Sequence, residues 1–425
     1  MKIPASLSTA FGDDFQATLL AFALENELLP DEGALASERF LTRSVIPHVE
    51  RLSTLFNRIE PGTEGTKIRA RKSEDKPGLD PYWKESSNPE NFRLAYFLAF
   101  MPSNAARAAA VVGELSRLGF RYPAGMKAFR GIEWGAGPAS GAVGIAAGVR
   151  HADIGVPREG NWALIEQDRA VLSLGEKWAT KFFESQDLGW SVRPFHRKVD
   201  WTKPLLPASA PSFHLWLSSF FLNEAEIPLD ALAARIVDNW EHHLEDEGLA
   251  VLIEPALRVQ SRRLLEFRKH LLVEFAKPKR KGKYRILLPC LGHQACGALA
   301  TEGDWCHEEI TWWRPKYFRK IDELAGLDRK TLPFSYLVVA KSKRSREELL
   351  PALGSAKTDR LVSPAHSEGR DLEFFVCGEE GKRRARYRPE SDDEAKEIER
   401  GSIFLDAEIR GDARAGRVDL RKGVI

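Results

Sequence analysis

"AFRGIEWGAGPASGAVGIAAGVRHA", residues 128–152, reads as a short strand, a glycine-rich turn and a helix of small residues. Such a turn lets backbone approach a ligand closely, at the carboxyl edge of a sheet where nucleotides bind. Downstream, strand-type runs recur at "NWALIEQD" (161–168), "WSVRPFHRKV" (190–199), "SFHLWLSSFFLNE" (212–224) and "GLAVLIEP" (248–255). Amphipathic helical patterns lie among them at "AVLSLGEKWATKFFES" (170–185), "LDALAARIVDNWEHHLED" (229–246) and "QSRRLLEFRKHLLVEF" (260–275). This alternation predicts an α/β fold with a parallel sheet covered on both faces. Two further strands, "YRILLPC" (284–290) and "PFSYLVVAK" (333–341), follow with no helix of similar length between them.

Before the glycine turn the chain has a helical period. "DDFQATLLAFALENELL" (13–29), "ALASERFLTRSVIPHVERLSTLFNRI" (34–59) and "NFRLAYFLAFMPSNAARAAAVVGELSRLGF" (91–120) place apolar residues three and four apart. With 425 residues the chain exceeds the size at which one core keeps growing. The expected division is an N-terminal helical region (1–125), a nucleotide-binding domain (126–345) with a cysteine-rich insertion (289–314), and a small β-rich C-terminal module (346–425). A hydrophobic fraction of 43% with 29% charged residues is that of a soluble globular protein. No apolar run approaches the roughly 18 residues of a membrane span, so no membrane partner is expected. The N-terminus lacks a basic start followed by an apolar stretch and carries Asp13 and Asp14, so the expected address is cytoplasmic. A monomer is expected.

At the glycine turn, Glu133, Gly135 and Gly137 are the candidate cofactor residues, together with Glu166 at the end of the second strand. Glu166 stands where an acid accepts hydrogen bonds from ribose hydroxyls. Dinucleotide sites prefer an uncharged start, whereas an acid two residues before the first glycine suits the ammonium of S-adenosylmethionine. S-adenosylmethionine is therefore expected ahead of a nicotinamide cofactor.

The chain has only four cysteines, and three of them, Cys290, Cys296 and Cys306, fall within "PCLGHQACGALATEGDWCHEE" (289–309). The fourth is Cys377. Disulfides are unlikely chemistry for a cytoplasmic chain, and structural cysteines scatter through apolar cores rather than gather in a glycine-rich loop. Four thiolates satisfy either tetrahedral zinc or an iron–sulfur cluster. The absence of a C-x2-C pair and the remote fourth ligand favour the cluster. His293 and His307 read as supporting residues rather than ligands.

Net charge is only +2, so positive charge is local. Dense basic runs occur at 65–78, at 277–285 and at 381–388. Lys279, Arg280, Lys281, Lys283, Arg383, Arg384 and Arg386 are the candidate RNA-contacting residues. No catalytic residue is expected. Pro289-Cys290 has the look of a cytosine-C5 methyltransferase nucleophile but lies in the wrong loop, and no N-P-P-Y-type segment follows the fourth strand. A base or phosphate pocket near Ser218, Ser219 and Asn223 would accompany an active RNA methyltransferase. Trp305, Trp312 and Trp313, beside the third cysteine, read as packing for a small metal-containing lobe, with base stacking the second reading.

The chain resembles one family in particular: methyltransferase-like assembly factors of the mitochondrial small ribosomal subunit and their bacterial relatives. The resemblance runs from about residue 90 to "GKRRARYR" (381–388). It rests on "LAYFLAFMPSNAARAAAVVGEL", "EWGAGPAS", "LSSFFLNE", the three-cysteine segment, "LPFSYLVV" and "FFVCGEEG". It implies a Rossmann-type class I methyltransferase sheet and a 4Fe–4S cluster held by Cys290, Cys296, Cys306 and Cys377. It also implies association with small-subunit ribosomal RNA, acting in ribosome assembly or translation. The chain departs from the family pattern at Ala139, where glycine is usual, at Leu291 and Gly297, where proline is usual, and in a wider spacing before Cys306.

Overall fold

The computed structural model describes residues 11–57, 89–407 and 417–420. The basic run at 65–78 lies outside the described residues. Among the described residues, the longer helices of the N-terminal region are α1 (Asp13–Glu25), α2 (Ile46–Asn57), α3 (Pro89–Ala99) and α4 (Met101–Arg117), which share one core with one face of the sheet. The long periodic stretch 91–120 is two helices, not one. Phe100 leaves the helical region with φ −121°, and Pro102, which has no N–H to lose, starts α4. Similarly, α2 is entered through a π-helical turn, Leu41–Val45, just ahead of Pro47, where the missing N–H interrupts the ladder.

The main sheet consists of β1 (Phe129–Trp134), β2 (Glu159–Glu166), β3 (Gly189–His196), β4 (Phe213–Ser219), β5 (Leu244–Pro255), β6 (Tyr284–Leu288), β7 (Glu308–Thr311) and β8 (Thr331–Lys341). Its order is β3-β2-β1-β4-β5-β8-β6, with β7 also paired to β8. The first five strands are parallel, whereas β8 runs antiparallel to β5, β6 and β7. The sheet is thus dominated by parallel pairing but mixed. Between the strands lie α5 (Ser140–His151), α6 (Arg169–Ser185), α7 (Leu229–His243), α8 (Arg258–Ala276) and, after β7, the short α9 (Lys316–Leu324).

Both faces are covered. One core joins α4, α5 and α6 to Leu164, Leu215, Leu217 and Val251, and the other joins α7 and α8 to Trp134, Trp216, Leu252 and Val339. α5 lies directly on α4 because its facing residues are small. A Cβ at Gly148 would sit 2.7 Å from the Cβ of Val112.

A second sheet is built from β9 (Thr358–Leu361), β10 (His366–Glu368), β11 (Asp371–Gly378), β12 (Gly381–Tyr387), β13 (Ile403–Leu405) and β14 (Arg417–Leu420). Its own small core stacks Phe374 on Phe404 at 5.6 Å. β6 and β7 occupy one edge of β8 end to end: β6 pairs with residues 338–341 and β7 with 331–334. The cysteine segment is the excursion between them, and it projects toward the second sheet.

Candidate cofactor crevice and cysteine centre

The crevice opens where the strand order reverses, between the carboxyl ends of β1 and β4, the usual ligand position in such sheets. Past Trp134 the backbone turns through the left-handed region at Gly135 (φ 63°), Gly137 (φ 51°) and Ala139 (φ 60°). Gly135 has a second constraint: a Cβ there would lie 2.6 Å from the Phe221 ring. Ala139 is the N-cap of α5, is fully buried, and carries the strain that a glycine would not.

Glu133, on β1, directs its carboxylate at the start of α5. It is 1% exposed, and its two carboxylate oxygens accept from the Gly141 and Ala142 amides, each at 2.9 Å. These are first-turn N–H groups of α5 that no intrahelical carbonyl can serve. Burial nevertheless outweighs the amides and pushes the carboxyl up to about 8. Glu166 clasps the turn from the end of β2: its Oε2 accepts from Gly137 N at 2.9 Å, and its Oε1 from Gln167 N (2.8 Å) and Asp168 N (2.9 Å). Burial raises it as well, against those three amides. A carboxylate oxygen has more than one lone pair, so Oε2 keeps capacity for a ribose hydroxyl.

Around the turn stand Tyr96, which the sequence pattern did not single out, and the expected pocket residues Ser218, Ser219 and Asn223. Tyr96 from α3 lies 3.9 Å from the Cβ position of Gly137, and burial holds its hydroxyl well above the ordinary value. Ser218 and Ser219, at the end of β4, are buried, and their hydroxyls have no hydrogen-bond partner among the described residues. Asn223 is engaged: its Nδ2 donates to Glu254 Oε2 at 2.5 Å, while Glu254 Oε1 accepts from Leu222 N at 2.9 Å. Glu254 is 2% exposed, and burial pushes it up to about 7.

The four cysteines are free thiols, each half-buried. Cys290 follows β6, Cys296 precedes a 3₁₀ turn (Gly297–Ala300), Cys306 precedes β7, and Cys377 lies on β11. Arginines of α8 hold the segment from below. Arg268, only 2% exposed, donates to Gly292 O (2.8 Å) and Gln294 O (3.1 Å), and its positive charge opposes the upward shift of the Cys290 thiol. Arg262 donates to Thr301 O (2.8 Å) and Asp304 O (2.6 Å). The second sheet holds it from the other side. Gln294 Nε2 donates to Gly378 O at 2.6 Å, and Lys382 Nζ reaches both oxygens of Asp304 at 2.7 and 2.6 Å. Gly297 must be small, because a Cβ there would meet the Lys382 Cβ at 2.6 Å.

All six thiol pairs interact electrostatically. Burial raises Cys306 well above the ordinary thiol value, and Cys290, Cys377 and Cys296 add to it. Burial, then Cys290 and Cys296, push Cys377 up to about 12, opposed by Arg268 and Lys382. Cys290 is raised by burial and Cys296, against Arg268. The histidines are used otherwise: His293 Nε2 accepts from Ile286 N at 3.1 Å, and His307, stacked on Trp305 at 6.0 Å, is driven down to about 4 chiefly by burial.

Among the described residues, no three His, Cys, Asp or Glu side chains converge as a single metal ion requires. The zinc alternative is therefore not met, since zinc draws four sulfurs to about 2.3 Å of one point. A cluster interposes its own iron and sulfide between the ligands, so it accepts a wider set. Four thiols beside a buried guanidinium are the donor chemistry it takes.

The basic runs divide. Arg280 is 2% exposed, with Glu274, Glu241 and Asp238 around its guanidinium, so it anchors the turn after α8 and is no RNA contact. Arg383 is likewise turned inward, to the buried Asp359 at 2.5 Å. Lys279 and Lys283 lie outside but near Glu241, and Lys281 is exposed. Arg384 and Arg386 are partly exposed and paired with Glu373 and Asp371. Carboxylates distant in sequence thus neutralise much of the charge that looked free. Among the described residues, no helix is long and apolar enough to cross a membrane.

These features define an α/β protein in which a nucleotide-type crevice on a parallel-dominated sheet is joined, through a cysteine-bearing segment, to a second β-sheet. The chain belongs to the family described as mitochondrial small ribosomal subunit Rsm22, whose profile matches residues 142–396. The matched stretch contains all four cysteines and begins just after the glycine turn. Among curated protein sequences none matches. Similar solved structures include one described as a class I S-adenosylmethionine-dependent methyltransferase from Listeria monocytogenes (11% identity, 77% of this chain and 88% of that one, TM-score 0.34). Another is an O-methyltransferase from Bacillus cereus in complex with SAH (10% identity, 62% and 97%, TM-score 0.30). A third is an S-adenosylmethionine-dependent methyltransferase from Clostridium acetobutylicum (10% identity, 57% and 91%, TM-score 0.29).

Proposed function

We propose that this is a methyltransferase-like, iron–sulfur-containing factor that binds small-subunit ribosomal RNA and acts in assembly or translation by the small ribosomal subunit. The reading is supported by four thiols from distant parts of the chain lying near enough to influence one another electrostatically, with Arg268 beside Cys290. Family membership supports the ribosomal assignment. Cys290, Cys296, Cys306 and Cys377 would hold a 4Fe–4S cluster, which supplies a rigid inorganic cross-link with one-electron chemistry. The protein's own residues do the rest. Arg268 offsets the negative charge of the thiolates, and the segment they anchor ties β8 to the β11–β12 hairpin.

Gly135, Gly137 and Glu166 would receive S-adenosylmethionine, with Glu133 holding the α5 end that shapes the turn. No residue beside the turn is assigned a catalytic role. Cofactor binding is therefore proposed without a methyl-transfer step.

The test is co-sedimentation of anaerobically purified protein with small ribosomal subunits. Binding by the intact protein and its loss in Cys306→Ser support the reading. Absence of binding by the intact, iron-replete protein overturns it.

A further inference from the structure

We propose that the seam between the cysteine segment and the β11–β12 hairpin is a stacking platform for single-stranded RNA, with Trp305 and Phe375 as its rings. This deepens the RNA-binding reading above and rests on it. Among the described residues, Trp305 (37% exposed) and Phe375 (43%) are two of five large apolar side chains exposed to solvent, and the two that are aromatic beside the cysteine segment. One lysine links their two segments. Lys382 Nζ lies 5.1 Å from the Phe375 ring centre and binds both oxygens of Asp304, the neighbour of Trp305. Each ring is fixed in advance. Trp305 is backed by His307, and Phe375 sits on a strand directly opposite Arg384. Directly opposed residues share a sheet face, so Phe375, Arg384 and, two residues along, Arg386 are presented together.

Charge and shape decide the occupant. Lys382, Arg384, Arg386 and Arg388 face Asp304, Glu373 and Asp371, so four cations meet three carboxylates. Phosphate attraction alone is too small to hold a duplex. An aromatic ring flanked by guanidinium groups instead suits the unstacked bases of a single strand, which a duplex hides. A protein partner fits less well, because interface anchors cluster in dry apolar pockets and these rings stand singly among ion pairs.

The test is fluorescence anisotropy with labelled oligouridylate, free or annealed to oligoadenylate. Phe375→Ala and Trp305→Ala are each expected to weaken single-strand binding roughly 5- to 100-fold, the range of one lost base stack, with duplex binding unchanged. Phe375→Tyr retains affinity. Phe375→Leu keeps the apolar bulk without the aromatic face and behaves as the alanine variant does, at an unchanged melting temperature. With about one uncompensated cation, the single-strand salt slope is shallow, close to −0.7 in log–log terms. Single-strand affinity within twofold of the parent in both Trp305→Ala and Phe375→Leu overturns the platform while leaving RNA binding elsewhere intact. Equal loss for both RNA forms also overturns it. A parent protein that binds neither form refutes the RNA-binding reading itself.

Discussion

Arg360 on β9 and Glu114 on α4, 246 residues apart in sequence, lie 2.7 Å apart with side chains 1% and 0% exposed. The same guanidinium reaches Glu308 of β7 at 2.9 Å. One arginine thus joins the second sheet to a helix and a strand of the first, immediately behind the cysteine segment. Replacing it with methionine strands the buried Glu308 and leaves Glu114 to Arg117 alone, and breaking a buried pair in this way costs about 3–5 kcal/mol. Arg360→Met should lower the urea midpoint by a corresponding amount. Glu114 is desolvated, but Arg360 and Arg117 more than offset this and hold it below the ordinary carboxylate range. Its contribution is therefore present above the unfolded value and lost as pH falls through the folded one, an acid sensitivity that Arg360→Met weakens, since Arg117 remains.

Glu133 gives the opposite sign. Its folded value, pushed up to about 8 by burial, exceeds the unfolded value near 4.5. Between those limits the unfolded chain releases a proton that the folded protein keeps, so stability declines as pH rises through that window. Glu254, raised to about 7, adds to the same slope. Urea titrations at pH 5 and pH 8 should show the decline in the parent, a weaker one in Glu133→Gln, and little in the double variant Glu133→Gln, Glu254→Gln.

Ala139 holds a left-handed conformation at the N-cap of α5. Glycine relieves a strain of about 1–2 kcal/mol but loosens the unfolded chain by about 0.4–1 kcal/mol, so Ala139→Gly should leave stability unchanged or slightly raised. A β-branched side chain has no such outlet. Ala139→Val should be destabilised by about 1–3 kcal/mol, both variants being read by urea unfolding.

Arg280 and Lys281 are neighbours with opposite roles. Arg280→Ala should destabilise the fold, because Glu274, Glu241 and Asp238 lose their shared cation. Lys281→Ala should leave the melting temperature unchanged and alter only RNA affinity, as read by filter binding.

Local signals made much of the architecture legible. The strand–helix alternation and the left-handed Gly135 and Gly137 follow from neighbouring residues, and the cysteines were conspicuous through rarity. The failures are long-range or very short. Arg280 looked like surface charge because Asp238 and Glu241, which surround it, come from a helix about forty positions earlier. The contacts of Glu133 with the first turn of α5 were not legible either, because periodicity does not say which partner an acid meets. β7 is four residues of mixed polarity, held by pairing with β8 rather than by its own pattern.

The account turns on whether the four thiols share one inorganic centre. Iron and acid-labile sulfide should be assayed in anaerobically purified parent protein and in Cys377→Ser. About four of each per chain, with broad visible absorption that Cys377→Ser loses, is the expected result. Stoichiometric zinc, or protein free of iron and sulfide that is as stable and as active in subunit binding as any other preparation, would contradict it.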